Sequence, residues 1–482
     1  MNARLVIRIL GSIELVEAAS FIPSIIVSLI YKDGDTWALV ITMAIVLAVS
    51  LPMFFLSKPR DRSLRSREGF LVVALSWIIL SIFGAIPFSL SGLMPTFVDS
   101  LFESVSGFTT TGATVLRSFD HTPHGIMFWR SFTHWIGGMG VLVLTLALIP
   151  KLADRSSHLI RAESPGPSLS KLVPKIGDSS KILYLIYMGL TCLEFVVLLL
   201  LGMNAYDAGI HALGTAGTGG FSNYGDSVAH FQSTGIDIAM TVFMCLFGVN
   251  FAVYYFFCHG QWKDIFHNEE LRWYLSIFFL SILAITIILI PTYGNFFTAL
   301  RYSSFQTASI MSTSGFSTTD FDLWPVQAKM LLMVLLFFGS CAGSTAGGIK
   351  IVRIALLIKE GAREIRHTFQ PRKVQTIRLD GHGVDESMLH SIAVFSFIYV
   401  ALILAGSILL SLEGKYDLIT NFTASLTCVS NVGPGYGAVG PAGSFAGYGP
   451  FAKLCCCFLM LAGRLELYPL FVIFHPAVWK RT

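Results

Sequence analysis

The sequence is poor in charge. Asp, Glu, Lys and Arg supply 13% of its 482 residues and hydrophobic types 54%, whereas a soluble domain carries about 25% charge. That deficit excludes a soluble globular protein, and no nucleic-acid partner is expected. The eight cysteines form no C-x-x-C pair and no metal-ligand spacing, so they read as buried thiols in a reduced setting. H-E-x-x-H, G-x-S-x-G and paired mid-span aspartates are all missing. Glu14, Glu17, His134, Glu194, Asp237 and Glu466 are scattered along the chain, which leaves an intramembrane enzyme without a cluster to work with. Gly343 to Gly348 is followed by Ile349 rather than lysine, so it is no phosphate loop. No cofactor is expected in this chain.

What the sequence has in abundance is long apolar runs. A helix needs about 20 apolar residues to cross a hydrocarbon core of roughly 30 Å. Runs of that kind occupy approximately 5–31, 37–57, 69–92, 124–150, 180–203, 235–258, 272–292, 325–358, 387–412 and 449–476. The start, MNARLVIRILGSIELVE, resembles a signal peptide until Glu14 and Glu17 interrupt it, and it reads as a retained first helix. Ten spans place both termini on one side. Of the 33 Lys and Arg residues, 25 fall near the termini and in alternate connections, among them Lys58 to Arg67, Lys151 to Lys181 and Lys350 to Arg378. By the positive-inside rule those segments and both termini are cytoplasmic. The opposite loops carry Asp99, Glu103, Asp120, Asp207, Asp226, Asp320, Asp322, Glu413 and Asp417. These are either a vestibule that concentrates cations or ordinary solvated loops.

Four glycine-centred segments recur on that outer side at intervals of roughly one hundred residues. They are Thr110-Thr111-Gly112, Thr218-Gly219-Gly220, Thr313-Ser314-Gly315 and Asn431-Val432-Gly433, with Thr215-Ala216-Gly217 as another register for the second. Each follows a stretch too short to cross a bilayer, such as Phe97 to Thr109 or Phe296 to Ser312. Such a stretch fits a re-entrant half-helix, which is tolerated at membrane depth only when buried in protein or lining a water-filled cavity. Small residues stand six positions before each glycine (Ser106, Gly214, Ser309, Thr427) and two further back (Ser104, Ala212, Thr307, Ser425), which permits close packing. Four such loops can ring an axis, and a ring of backbone carbonyls replaces the hydration shell of a monovalent cation. Glycine reaches the backbone angles this needs without steric cost. Thr110, Thr218, Thr313 and Asn431 either add side-chain oxygens or brace the loops. None of the segments holds Asp or Glu, which argues against a calcium pore.

The predicted fold is an all-α integral membrane protein of about ten transmembrane helices and four re-entrant pore helices. Two extra helices (1–67) precede four span–pore helix–loop–span repeats at 68–177, 178–268, 269–382 and 383–482. The eighth span is interrupted by Gly339, Gly343, Ser344, Thr345, Gly347 and Gly348. Each interior glycine costs a helix about 1 kcal/mol relative to alanine, so the helix should break there. Arg464 sits mid-span, where a charge costs at least about 2.5–3.5 kcal/mol, and must face water or a partner.

With these motifs the chain resembles the Trk/Ktr/HKT superfamily of potassium transporters, most closely its bacterial TrkH/TrkG type. The resemblance covers nearly the whole chain. It implies one pseudo-fourfold potassium pore per subunit, with Gly112, Gly220, Gly315 and Gly433 as filter glycines, and a homodimer. Plant relatives favouring sodium have serine at the first of these positions, and Asn431 departs from the threonine of the other three. The resemblance further implies that the glycine-rich interruption is a gating loop, against a close helix-packing interface, and that Arg464 is an electrostatic barrier, against an ion pair with another helix. It implies a bacterial inner-membrane location, contact with lipid, potassium as substrate with rubidium and sodium as further ions, and a cytosolic TrkA-type subunit that binds NAD(H) or ATP. A potassium symporter coupled to sodium or protons is the alternative.

Overall fold

The computed structural model describes residues 2–57, 66–140, 176–373 and 375–476. Two long helices open the chain, α1 (Ala3–Tyr31) and α2 (Thr36–Leu56), and pack along each other. The first repeat holds α3 (Ser66–Leu90), α4 (Phe97–Phe108) and α5 (His124–Gly138). The second holds α6 (Ile176–Leu200), α7 (Ala205–Gly217), α8 (Thr234–Phe247) and α9 (Phe251–Cys258). A short helix, α10 (Trp262–His267), leads to the third, with α11 (Glu269–Tyr293), α12 (Phe296–Met311), α13 (Val326–Leu335) and α14 (Ile351–Phe369). A two-residue-strand hairpin, β1 (Arg378–Leu379) and β2 (His382–Gly383), precedes the fourth: α15 (Glu386–Ser411), α16 (Leu418–Ser430), α17 (Pro450–Arg464) and α18 (Tyr468–Phe474). The architecture is that of an all-α membrane protein.

Six of these helices are long and apolar enough to cross a membrane unaided: α1, α2, α3, α6, α11 and α15. Their exposed apolar side chains, Leu56, Leu200 and Phe397 among them, give the bundle a surface suited to hydrocarbon. α1 is joined to the first repeat where Phe21 stacks on Trp129, ring centres 4.1 Å apart, while the Trp129 indole N–H donates to the Gly84 carbonyl.

In the second, third and fourth repeats the second helix is not the continuous span that hydropathy predicts. α8 and α9 meet at 93°. Asn250 between them caps the new helix by accepting from the Ala252 N–H. The run expected at 325–358 is two helices separated by residues 336–350, and that at 449–476 is interrupted after Arg464, where Glu466 and Leu467 take positive φ. α5 ends at Gly138, and the remainder of the 124–150 run lies outside the described residues. The basic stretch after Lys350 opens with an apolar turn: Ile351, Val352, Ile354, Ala355 and Leu356 are buried on the first turns of α14. All eight cysteines are free thiols, but only Cys341, Cys428, Cys456 and Cys457 are buried; Cys192 and Cys258 lie exposed on the bundle.

Candidate functional site

The four short helices are built alike. α4, α7, α12 and α16 have 12, 13, 16 and 13 residues, and the side chain before each accepts a backbone N–H: Thr96, Asn204, Asn295 and Asp417. Such caps satisfy part of the unpaired first turn. At the other end each chain turns by one device. The N–H of the residue two before the glycine returns to Gly107, Thr215, Ile310 or Cys428, and the next N–H to Ser106, Gly214, Ser309 or Thr427. The small residues six positions before each glycine are therefore carbonyl anchors of these turns. Thr110, Thr218, Thr313 and Asn431 all adopt left-handed backbone, φ 55°, 56°, 58° and 54°, and the glycines follow at φ 78°, 74°, 77° and 95°. Left-handed φ at non-glycine residues is uncommon and persists only where the surroundings enforce it. Thr215-Ala216-Gly217 is the last turn of α7, so Thr218-Gly219-Gly220 is the segment whose backbone matches the other three.

These turns close into a ring. A Cβ on Gly112 would strike the Gly219 carbonyl oxygen, one on Gly220 that of Ser314, one on Gly315 that of Val432, and one on Gly433 that of Thr111. Each glycine therefore abuts the carbonyl preceding the glycine of the next segment, and the circuit runs through all four and returns. The C-terminal ends of the four short helices adjoin this ring, and their partial negative charge favours a cation there. Chemically, the arrangement is a collar of close-set carbonyls without a fixed charge.

The side chains two before the glycines act mainly as braces. The Thr313 hydroxyl accepts from the Gly347 N–H at 2.8 Å, the Thr218 hydroxyl donates to the Gly217 carbonyl, and Asn431 Nδ2 donates to the Thr111 hydroxyl at 2.9 Å and the Met460 carbonyl at 3.0 Å. Of the polar atoms on these four side chains, Thr110 Oγ1 and Asn431 Oδ1 lack a hydrogen-bond partner. His134 packs behind the second segment, its Nδ1–H donating to the Gly107 carbonyl and its ring 4.1 Å from that of Phe221.

Charged pairs join the repeats on the side from which the short helices enter. Arg130 Nε pairs with Glu103 at 2.6 Å, both essentially inaccessible, while its Nη1 donates to the Ser222 carbonyl. Glu103 also accepts from the Val115 N–H. Arg301 pairs with Asp237 at 2.7 Å and Lys453 with Asp99 at 2.5 Å, and Asp322 accepts from the Gly437 N–H. All four repeat junctions are bridged, two by ion pairs and two by a charged side chain on a backbone group, Arg130 on the Ser222 carbonyl and Asp322 on the Gly437 N–H. Asp99, Glu103 and Asp207 are thus buried bonding groups rather than members of an open acidic vestibule, whereas Asp120, Asp226 and Asp417 remain exposed.

Beneath the ring lies the 336–350 interruption. Its ends pinch together, the Gly339 N–H donating to the Ile349 carbonyl at 2.8 Å. The tip presses on the ring: a Cβ on Gly347 would strike the Ser430 carbonyl and the Asn431 side chain. Gly343 and Gly348 take positive φ, the Ser344 hydroxyl donates to the Cys341 carbonyl and the Thr345 hydroxyl to that of Phe247. Arg464 reaches the same place. Its guanidinium donates to the Thr345 carbonyl at 2.7 Å and to those of Gly137 and Gly138 at 2.6 Å, gathering the first, third and fourth repeats. Glu466, two residues on, pairs with Arg353. Among the described residues no group of three or more His, Cys, Asp or Glu side chains is placed to hold a metal ion.

With the geometry in place, comparison with known proteins is decisive. The TrkH family model, described as a cation transport protein, matches residues 36–481. The chain belongs to the TrkH family. The "Trk system potassium uptake protein TrkH" of Escherichia coli K12 is 35% identical with both chains covered in full, and TrkG of the same strain is 32% identical over 99% of each. The crystal structure of the potassium transporter TrkH from Vibrio parahaemolyticus covers the whole of both chains with a TM-score of 0.89 at 32% identity. This is a family of transporters, not of enzymes. Within the Trk frame, sequence reasoning missed the four helix caps, Glu103–Arg130 and Lys453–Asp99. The caps had a signal in Thr96, Asn204, Asn295 and Asp417 ahead of each apolar stretch; the ion pairs, far apart in sequence, had none.

Proposed function

We propose that this chain is the membrane subunit of a Trk-type system for potassium uptake across the bacterial cytoplasmic membrane. Potassium passes down the ring axis, coordinated by carbonyls of Thr110, Thr111, Gly112, Thr218, Gly219, Gly220, Thr313, Ser314, Gly315, Asn431, Val432 and Gly433. The observation that carries this reading is the closed circuit of four matched turns, each glycine seated against the next segment's carbonyl. Such carbonyls suit a monovalent ion that must bind and still leave. The loop containing Gly339, Gly343, Ser344, Thr345, Gly347 and Gly348 gates the path beneath the ring, and Arg464 adds an electrostatic barrier there. The repeats run 68–177, 178–268, 269–382 and 383–482 after the helix pair of 1–67, with both termini in the cytoplasm. A homodimer and a cytosolic TrkA-type subunit that binds NAD(H) or ATP complete the system, with rubidium and sodium as further permeant ions.

The test is potassium and sodium flux into liposomes holding the purified protein, wild type beside Gly112→Ser. The serine Cβ would collide with the Gly219 carbonyl, and the expected result is potassium-selective flux that loses its selectivity. Robust wild-type flux untouched by the substitution would displace the filter from this ring.

A further inference from the structure

Near its tip the 336–350 loop is held by Thr313, Phe247 and Arg464. Its start and the helix beyond it converge on one carboxylate. Glu270 stands in the first turn of α11 and is only 6% exposed. Its Oε1 accepts from the Ala342 N–H, within the loop, at 2.6 Å, and from the Val352 N–H, in the first turn of α14, at 3.2 Å. The residue preceding α14, Lys350, gives that helix no side-chain cap, so Glu270 supplies from another helix the acceptor that a helix start needs. A negative charge there is also favoured by the helix dipole.

The neighbouring residue ties the same spot to the hairpin. Glu269 pairs with Lys359 of α14 at 2.5 Å, and its N–H donates to Asp380 Oδ1 at 2.6 Å, in the turn between β1 and β2. Lys359 in turn donates to the Arg378 carbonyl at 2.7 Å. The start of α11, the middle of α14 and the hairpin therefore move together or not at all.

We propose that Glu270 is the positioning residue that holds the intramembrane loop across the path beneath the glycine ring, acting through the N–H groups of Ala342 and Val352. The proposal rests on the gate reading above. Displacing α14 or the hairpin acts on the loop through the adjacent Glu269 and Glu270, so a regulatory input at that end reaches the gate without touching the filter.

A native reporter stands beside the contact. Cys341, next to Ala342, is 1% exposed, and Cys428 in α16 is equally buried but lies away from Glu270's bonds. The experiment uses the full chain in liposomes as wild type, Glu270→Gln and Glu270→Ala. N-ethylmaleimide labelling of Cys341 and Cys428 is followed by peptide mass spectrometry, beside potassium flux. Losing one hydrogen bond to a charged acceptor corresponds to about tenfold or more, so Cys341 labelling in Glu270→Ala should quicken by at least that factor. Glu270→Gln keeps an amide oxygen in place and should fall between, and it decides the matter alone if the alanine variant does not fold. Cys428 labelling should not move, and unregulated flux should rise with Cys341 labelling. Unchanged Cys341 labelling overturns the proposal, as does a parallel rise at Cys428, which would mean general loosening. Faster Cys341 labelling with wild-type flux would instead overturn the gate reading, since labelling needs no transport.

Discussion

The two faces of the glycine ring are held by different means. On the side of the short helices, every junction between repeats is spanned by a charged or carboxylate-bearing side chain: Arg130 from first to second, Asp237–Arg301 from second to third, Asp322 from third to fourth, Lys453–Asp99 from fourth back to first. On the opposite side the second helices of the last three repeats are broken, and single side chains, Arg464 and Glu270, hold backbone groups. Carbonyl coordination demands positions fixed within tenths of an ångström, and buried ion pairs with satisfied partners are stiff. The fold thus ties the collar with ion pairs and its floor with single hydrogen bonds, Ser340 to the Met311 carbonyl, the Cys341 N–H to that of Gly248 and the Gly347 N–H to the Thr313 hydroxyl.

The sharpest way to break this contrast is Glu103→Ala. It takes the acceptor from three groups, the Thr114 hydroxyl, the Val115 N–H and Arg130, and leaves a guanidinium buried at 2% exposure without its carboxylate. Breaking a buried pair from one side costs about 3–5 kcal/mol. Thermal unfolding in detergent should show a large fall in stability, and Glu103→Gln with Arg130→Met should recover part of it. If the single variant were as stable as wild type, the collar would not depend on its ion pairs.

The next effect is smaller and sits in the ring itself. Asn431→Thr places in the fourth segment the residue found in the other three and removes the bonds from Nδ2 to the Thr111 hydroxyl and the Met460 carbonyl. At about 0.5–1.5 kcal/mol for each neutral hydrogen bond, the loss is modest in stability. It severs the only side-chain link described here between the fourth segment and the first. Potassium-over-sodium flux should therefore fall several-fold while the Glu103 contacts stay intact. Unaltered selectivity would place Asn431 outside the ring's support.

These contrasts mark where the sequence is readable. The short helices could be bounded almost to the residue, Phe97 to Thr109 against Phe97–Phe108 and Phe296 to Ser312 against Phe296–Met311, because small residues and a glycine turn are local signals. The breaks in the second helices were legible only where glycines crowd, at 339–348. At Gly248 to Asn250 and after Arg464 single polar or charged residues interrupt runs that stay apolar on average, and hydropathy cannot register a change of direction. What makes those breaks tolerable is tertiary: the Gly248 carbonyl accepts from the Cys341 N–H, and the carbonyls of Gly137 and Gly138 accept from Arg464. A buried carboxylate such as Glu103 is indistinguishable in sequence from the exposed Asp120, since burial is decided by a partner 27 residues away.

The smallest expected effect marks the edge of the braced region. Asp33, between α1 and α2, accepts from the His124 N–H at 2.8 Å and from its Nδ1–H at 2.6 Å, with both side chains about a third exposed. Burial alone would raise the Asp33 carboxyl, but the His124 hydrogen bonds and charge outweigh it and hold the group below its ordinary value. A depressed carboxyl stabilises the fold above its unfolded pKa, near 3.9, and that contribution disappears as the pH falls through the lower folded value. Exposed pairs are worth about 0.2–1 kcal/mol. Asp33→Asn should therefore lower stability slightly at pH 7 and by progressively less as the pH falls below about 4, as read from unfolding across that range. A loss comparable with that of Glu103→Ala would extend the braced region beyond the collar and out to the first helix pair.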